Sequence, residues 1–421
     1  MIEAERTGSV GGRCSLEIDM GDNGTQALAF AVSNAVWEGR HGDRGVCRMM
    51  PNVYWRSIPM EDLRKHPQFR QLPELLESTG VPSDPDELAN LRQNSKQWDL
   101  AHRNRLTSRF VPSVLGFLEE ETAKDLQIPF TLKGHEKALG AFEDLLKFSE
   151  NEIVLEDVRI AVEDDAIDSS LWKTRQANEP GGFPYEYHPE NFVPPAEPQD
   201  NRVTALRMKW GKIHEPVSIL AAVNYFSEMG AQVKETGLHC MEVHHNNVFE
   251  EYGIEGSNCL PKIGTSPDGV VDWGNGKVEA LEAKNHCPFF FDRSQNKIIV
   301  KSHGPFREVG TWYIAQLMWH MLCVGPDCKS AILTSMGIDG VVMHRIQRDE
   351  ELIRLMLKYV NFFFKNYVME NSAPPENFFH NEPDHRRMIF LTIKAAQEAQ
   401  SVATLEGNEV QRSPQNLDFF L

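Results

Sequence analysis

The sequence predicts an α/β fold in which helices flank a small mixed β-sheet. Two long segments, Leu206 to Met229 and Asp349 to Tyr367, carry apolar residues at helical spacing. Between them lie short apolar segments that are typical of strands, and an Asn-Gly pair separates two of these segments. The predicted order is therefore helix, hairpin, helix, strand pair and helix.

The N-terminal half of the chain is predicted to be irregular at first and then helical. Residues 1–90 begin with a Gly-rich stretch and form an N-terminal extension in which Met60 to Ser78 is amphipathic. Residues 86–150 have apolar positions at helical spacing. Residues 179–201 contain six prolines, which fix φ and remove backbone donors, so this part of an insertion near 150–201 is predicted to be a loop.

The predicted strands are short and closely spaced. Gly264 to Asp272 and Val278 to Asn285 form the hairpin, and Asn275-Gly276 between them favours a tight type I′ turn. A helix and a second strand pair complete the predicted sheet, at Thr311 to Leu322, Lys329 to Met336 and Gly340 to Ile346. Residues 371–421 follow as a C-terminal extension that is predicted to be partly disordered.

Composition predicts a globular chain that works inside the cell. The 421 residues are 41% hydrophobic and 25% charged, which excludes collagen-like and wholly disordered classes. No apolar run approaches the roughly 18–20 residues that span a bilayer, and the N-terminus lacks the pattern of a secretory signal. The seven cysteines include no C-x-x-C pair, so we expect a reducing nuclear or cytoplasmic compartment, without secretion or membrane insertion.

Charge is unevenly distributed along the chain. A net charge of −18 by itself argues against a polyanionic partner. Basic residues nevertheless outnumber acidic ones five to one in Leu91 to Arg109 and again in Lys284 to Arg307, whereas Glu150 to Asp168 is strongly acidic. Basic islands of this kind form either a polyanion-binding groove or ordinary solvated surface.

Two carboxylates and a lysine are predicted to converge at the hairpin. Side chains two residues apart on a strand share a face, so Glu282 and Lys284 point the same way. The predicted turn lays their strand beside the one reached from Asp268. Glu279 competes with Glu282 and Asp272 competes with Asp268, although only Glu282 has a lysine two residues later. The alternative is an ordinary hairpin with surface charges.

Such a group of side chains has a recognisable chemistry. Carboxylate oxygens are the ligands that Mg²⁺ and Mn²⁺ prefer. A metal ion beside a scissile phosphate lowers the pKa of its water and offsets charge in the transition state. A neighbouring lysine orients or deprotonates that water. The pattern therefore predicts metal-dependent phosphodiester hydrolysis.

These residues also carry a family resemblance. Gly264 to Asp272 followed by Val278 to Asn285 resembles the core of the PD-(D/E)XK nuclease superfamily, and more narrowly its YqaJ-like viral recombinase and lambda-exonuclease branch. Trp210 to Pro216 is similar to that branch's G-x-x-x-E-P helix. Tyr313 to Gln316 resembles its Y-x-x-Q helix, and Trp98 to Phe110 resembles its opening arginine-containing segment. The motifs occur in the family order.

The resemblance implies a restriction-endonuclease-like core over residues 91–370. It implies catalytic roles for Glu215, Asp268, Glu282, Lys284 and Gln316, and metal binding by Asp268, Glu282, the Ala283 carbonyl and Glu215. Mg²⁺ is the implied cofactor, with Mn²⁺ as a substitute. A DNA 5′-phosphate is implied to bind Arg103, Arg105 or Arg109. Thr107-Ser108-Arg109 departs from the family's usual T-A-S, which leaves open which arginine binds it.

The implied function is a Mg²⁺-dependent 5′–3′ exonuclease on linear double-stranded DNA, acting in recombination or viral-type DNA processing. Two alternatives stay open. One is a structure-specific or restriction-like endonuclease with the same metal site, and the other is a non-catalytic DNA-binding recombination accessory protein. The basic islands fall beside the family's DNA-contacting segments, which favours DNA as a partner.

Two further segments have functional alternatives. His239, Cys240, His244 and His245 contain zinc-binding residue types but lack the paired spacing of a structural site. The C-terminal segment Leu417 to Leu421 places an apolar tip on a polar tether. It either docks into a single-strand-annealing or replication partner or folds back onto the core.

Overall fold

A computed structural model describes residues 17–18, 59–73, 82, 84–103, 105–128, 134–158, 199–241, 262–287, 289–292, 297–300, 305–337 and 340–406. Its helices are α1 (Met60–Arg64), α2 (Pro85–Ala89), α3 (Lys96–Arg103), α4 (Val111–Val114), α5 (Glu120–Asp125), α6 (Gly134–Val158), α7 (Gln199–Glu228), α8 (Thr311–Val324), α9 (Glu350–Phe363) and α10 (Pro383–Gln397). α9 continues into a π-helical turn at Phe364–Val368. The three long helices predicted in the C-terminal half, α7, α8 and α9, are confirmed.

The strands are β1 (Glu17–Ile18), β2 (Phe69–Arg70), β3 (Arg105–Thr107), β4 (Gln232–Lys234), β5 (His239–Cys240), β6 (Lys262–Thr265), β7 (Gly269–Asp272), β8 (Val278–Asn285), β9 (Phe289–Asp292), β10 (Lys297–Val300), β11 (Cys328–Gly337), β12 (Gly340–Gln347) and β13 (Gln400–Glu406). Seven of them form the main sheet, in the order β13-β12-β11-β8-β7-β4-β2. β11 is parallel to β8 and β4 to β2, and the other neighbours are antiparallel. The fold is therefore α/β with a mixed sheet.

The main sheet lies between two layers of helices, because the two faces of its central strand, β8, pack in different hydrophobic cores. Leu281 packs in one core with Val217 and Leu220 of α7. Its neighbour Ala280 packs in the other core, which contains Ile314 of α8 together with residues of α9 and α10. Alternate residues of a strand share a face, so Glu282 lies on the α8 side with Ala280.

The predicted strand at Gly264 to Asp272 is interrupted. β6 belongs to a separate three-stranded sheet with β3 and β5, whereas β7 belongs to the main sheet. The two residues before Asp268 explain the break, because Pro267 has no backbone N–H for a strand ladder and Ser266 accepts the Trp98 indole N–H at 2.9 Å. Asp268 therefore lies at a crossover between two sheets.

The hairpin between β7 and β8 forms where it was predicted, but its turn is not type I′. That turn requires positive φ at two successive central residues. Here Gly274 (φ 72°) and Gly276 (φ 83°) have positive φ and Asn275 between them does not. The Trp273 N–H donates to the Lys277 carbonyl at 3.1 Å, so the loop has three residues. The prediction of a two-residue turn is wrong because both glycines, rather than Asn-Gly, take the left-handed conformation.

Both predicted extensions contribute strands to the main sheet. β2, from residues 1–90, pairs with β4 at one edge, and β13, from residues 371–421, pairs with β12 at the other. The segment Leu417 to Leu421 and residues 159–198 of the predicted insertion lie outside the described residues. No helix in the described part of the chain is long and apolar enough to cross a membrane.

Candidate active site

Asp268 lies at the end of the crossover from β6, directly before β7. Because β7 and β8 pair antiparallel, Gly269 lies opposite Leu281. This register places Oδ2 of Asp268 where it accepts the Ala283 N–H at 2.7 Å. Asp268 is thus hydrogen-bonded to the backbone between Glu282 and Lys284, beside the strand where the predicted hairpin puts it.

Glu282 and Lys284 project from β8 toward α8, where a third predicted side chain meets them. The Lys284 ammonium donates to Oε1 of Glu282 at 2.5 Å. Gln316, in the first half of α8, donates its amide N–H to the same oxygen at 2.6 Å. One strand and one helix therefore place three of the predicted catalytic side chains in a single hydrogen-bonded group.

Glu215 approaches this group from α7, on the other side of the sheet. Ser218 donates to the Asn285 side-chain oxygen, and Asn285 donates its amide N–H to the Gly211 carbonyl at 3.1 Å. These two hydrogen bonds hold one turn of α7, the turn that contains Glu215, against the end of β8. The charges of Glu282 and Lys284 act on the Glu215 carboxyl, so Glu215 lies within electrostatic reach of the hydrogen-bonded group.

The three carboxyl groups repel one another in a site where Glu282 is buried and Asp268 and Glu215 are half-buried. Burial raises the pKa of Asp268 well above its usual range, and the charges of Glu282 and Glu215 raise it further. Burial and the charge of Glu282 raise the pKa of Glu215 to about 7. Burial would also raise the pKa of Glu282, but Lys284 and His320 outweigh it and lower that pKa to about 2. At neutral pH Glu282 is therefore ionised.

Lys284 keeps its charge in the same site. Burial lowers the pKa of its ammonium, but the charges of Glu282 and Asp268 outweigh burial and raise the pKa above its usual range. Lys284 is therefore a hydrogen-bond donor at neutral pH and not a base. This narrows the sequence-based expectation, which left both roles open.

The donor set has the chemistry that a hard divalent cation needs. Asp268, Glu282 and Glu215 supply carboxylate oxygens, and a backbone carbonyl is available at Ala283. A divalent cation would offset the repulsion that raises the pKa of Asp268 and of Glu215. Within the described residues, no group of three or more Asp, Glu, His or Cys side chains is already spaced to hold a metal ion. Binding by all three carboxylates would therefore require these side chains to move closer together.

The three predicted phosphate-binding arginines differ in their accessibility. Arg103 is exposed at the end of α3, and Arg109 is exposed with its guanidinium 5.2 Å from the Phe110 ring centroid. Arg105 is 7% exposed, on β3. α3 also touches the crossover before Asp268, because Trp98 and His102 both contact the Ser266 hydroxyl, at 2.9 and 3.2 Å. Arg103 and Arg109 are therefore the exposed ones of the three predicted arginines.

The two rival carboxylates have structural partners. Glu279 is fully buried and accepts both guanidinium hydrogen bonds of Arg345, at 2.7 and 3.0 Å, together with the Trp273 indole N–H at 2.8 Å. Asp272 forms an ion pair with Lys234, which lowers the pKa of its carboxyl. Glu279 and Asp272 are thus paired with other cations, whereas Asp268 and Glu282 lie beside Lys284.

Sequence reasoning gave no role to two residues near the site. His320 lies 3.0 Å from Oε2 of Glu282, and the charge of Lys212 acts on both Glu215 and Asp99. Helical spacing was an available signal for both, because His320 follows Gln316 by four residues and Lys212 precedes Glu215 by three. Of the zinc candidates, His239 has Nε2 2.5 Å from the Thr236 hydroxyl, and His244 and His245 lie outside the described residues.

Comparisons with known proteins add no relative. No protein-family model matches the chain, and no curated protein or solved structure is significantly similar to it.

Proposed function

We propose that this protein is a Mg²⁺-dependent deoxyribonuclease of the PD-(D/E)XK type, with a restriction-endonuclease-like core and closest in kind to the YqaJ-like, lambda-exonuclease-like branch. One observation carries the proposal. Asp268 accepts a hydrogen bond from the backbone between Glu282 and Lys284, whose side chains form a hydrogen-bonded group with Gln316, and the charges of this group act on Glu215. A partly buried excess of carboxylates next to an ammonium ion has the composition of a metal-assisted phosphodiesterase site.

The carboxylates would hold the ion, with the Ala283 carbonyl as a further ligand. Asp268 and Glu282 are the principal ligands in this assignment, and Glu215 completes the set. When bound, Mg²⁺ lowers the pKa of a water molecule and offsets negative charge on the scissile phosphate. Mn²⁺ prefers the same oxygen ligands and is expected to substitute.

Lys284 and Gln316 act on the attacking water and the phosphate. The Lys284 ammonium stays protonated at neutral pH because Glu282 and Asp268 raise its pKa. It therefore orients water and offsets phosphate charge by donating hydrogen bonds. Gln316 donates its amide beside it and leaves its carbonyl oxygen to accept from water, which fixes the direction of attack.

DNA is the proposed substrate, with Arg103 or Arg109 receiving a terminal 5′-phosphate. Both residues are exposed, and the hydrogen bond from Trp98 to Ser266 joins α3 to the crossover that carries Asp268. Arg105 is the weaker candidate because it is nearly buried. The 5′–3′ direction and a role in recombination come from the family resemblance.

The test is cleavage of 5′-labelled linear duplex and of closed circular DNA, each with Mg²⁺ or EDTA. We expect Mg²⁺-dependent loss of linear DNA alone. Asp268→Asn and Glu282→Gln should lower the rate by about 10²- to 10³-fold, as removal of a group that offsets transition-state charge does. Asp272→Asn is the matched control, because this carboxylate lies on the same hairpin but pairs with Lys234.

The outcomes separate the alternatives. Metal-dependent cutting of closed circles would replace the exonuclease with an endonuclease that uses the same site. DNA binding without cleavage of either substrate would refute the enzyme and leave a DNA-binding accessory protein. Equal loss of activity in Asp272→Asn and Asp268→Asn would refute the assignment of Asp268 to the active site.

A further inference from the structure

His320 is a buried histidine that joins the small three-stranded sheet to the candidate active site. It lies on α8 one turn after Gln316 and is 0% exposed. Nδ1 lies 2.6 Å from the hydroxyl of Thr265, on β6, and Nε2 lies 3.0 Å from Oε2 of Glu282. Nδ1 is therefore hydrogen-bonded to β6, whereas Nε2 contacts Glu282 of β8 at hydrogen-bond distance but without the alignment of a hydrogen bond.

A ring aligned with Oε2 can donate to Glu282 in its neutral or its charged form. An ionised carboxylate only accepts hydrogen bonds, so Nε2 is the atom that would carry the hydrogen. The Thr265 hydroxyl either donates to Nδ1 or accepts from it, because a hydroxyl does both. Either position of the Thr265 hydrogen therefore leaves Nε2 able to face Oε2.

The two oxygens of Glu282 have different kinds of partner. Oε1 accepts from Lys284, whose side chain is 28% exposed, and from Gln316, which is half-buried. Oε2 faces His320, which is fixed in the core and held by Thr265, itself 0% exposed. The partners of Oε1 have room to move, whereas the partner of Oε2 does not.

We propose that His320 is a positioning residue that holds the Glu282 carboxylate through Oε2, so that Oε1 is the oxygen which exchanges Lys284 or Gln316 for a divalent cation. This inference rests on the proposed function. A buried group that orients a metal ligand is a recognised contributor to metal affinity, typically about 10- to 100-fold.

The experiment measures Mn²⁺ binding to the full-length protein without DNA, by calorimetry and electron paramagnetic resonance. His320→Leu should weaken Mn²⁺ binding by about 10- to 100-fold. His320→Gln keeps an N–H that reaches Glu282 and should restore most of the affinity. Thr265→Val removes the group that fixes the ring and should weaken binding in the same direction. With linear DNA, kcat should fall in His320→Leu while KM stays unchanged.

The matched control is His385→Leu on α10. His385 is also 0% exposed, and its Nε2 contacts the Leu115 carbonyl at 2.8 Å, away from the site. This variant should lose stability and keep the Mn²⁺ affinity of the parent, which separates positioning from loss of a buried histidine.

Each outcome decides between the two proposals. Unchanged Mn²⁺ affinity in His320→Leu would overturn the positioning role and leave the nuclease intact. A parent protein that neither binds Mn²⁺ nor cleaves DNA would overturn both. If His320→Leu does not fold, Thr265→Val carries the test, and unchanged affinity in that variant overturns the inference.

Discussion

Replacing Glu215 with glutamine should stabilise the protein in EDTA, and increasingly so as the pH rises. Burial and the charge of Glu282 raise the pKa of Glu215 from 4.5 to about 7. The folded state therefore holds this proton more tightly than the unfolded state. By linkage, the stability from this group is fully present below pH 4.5 and is lost as the pH rises through 7.

The size of the effect follows from the two pKa values. At about 1.36 kcal/mol for each pH unit, the interval from 4.5 to about 7 corresponds to about 3 kcal/mol at pH 8. Glutamine takes the place of the protonated carboxyl and does not ionise. The variant should therefore exceed the parent by about 3 kcal/mol at pH 8, or about 3–5 °C in Tm for a chain of this size, and by little near pH 5.

The assay is thermal and urea unfolding of parent and variant in EDTA, at intervals from pH 5 to 8. Glu279→Gln is the control with the opposite sign. Burial raises the pKa of Glu279, but its hydrogen bonds with Arg345, Ser330 and Trp273 outweigh burial and lower it. That variant should be less stable than the parent, and the loss should stay nearly constant from pH 8 to pH 5, because the stability from a lowered pKa is lost only below the unfolded value of 4.5. If the advantage of Glu215→Gln stays constant across this range, Glu215 is not crowded by Glu282 and the proposed donor set loses its third carboxylate.

Two other substitutions test the scaffold that holds the site. Arg345→Leu leaves Glu279 buried without its cation and should cost about 3 kcal/mol in urea unfolding, whereas a loss under 1 kcal/mol would mean that the ion pair is dispensable. Trp98→Phe removes the hydrogen bond to Ser266 and should cost about 1 kcal/mol while slowing DNA cleavage; unchanged cleavage would show that α3 does not position the Asp268 crossover.

Local pattern predicted much of the site because its central part is a hairpin. Strand alternation put Glu282 and Lys284 on one face, and antiparallel pairing brought the segment after Asp268 beside them. The same reasoning failed at the turn and at the crossover. Which glycines take positive φ, and where a chain leaves one sheet for another, depends on contacts such as that of Ser266 with Trp98.

The sequence by itself determined the α/β class, the hairpin and the candidate carboxylates, because these follow from periods of two and 3.6 residues and from residue type. Only the tertiary structure decided which acidic side chains pair with a cation and which lie close to other acidic side chains. Glu279 forms an ion pair with Arg345, and Asp272 forms one with Lys234. Glu215 on α7 and His320 on α8 instead interact with Glu282. Burial and the distances between side chains set these protonation states and hydrogen bonds. Neither burial nor distance can be read from the spacing of residues along the chain.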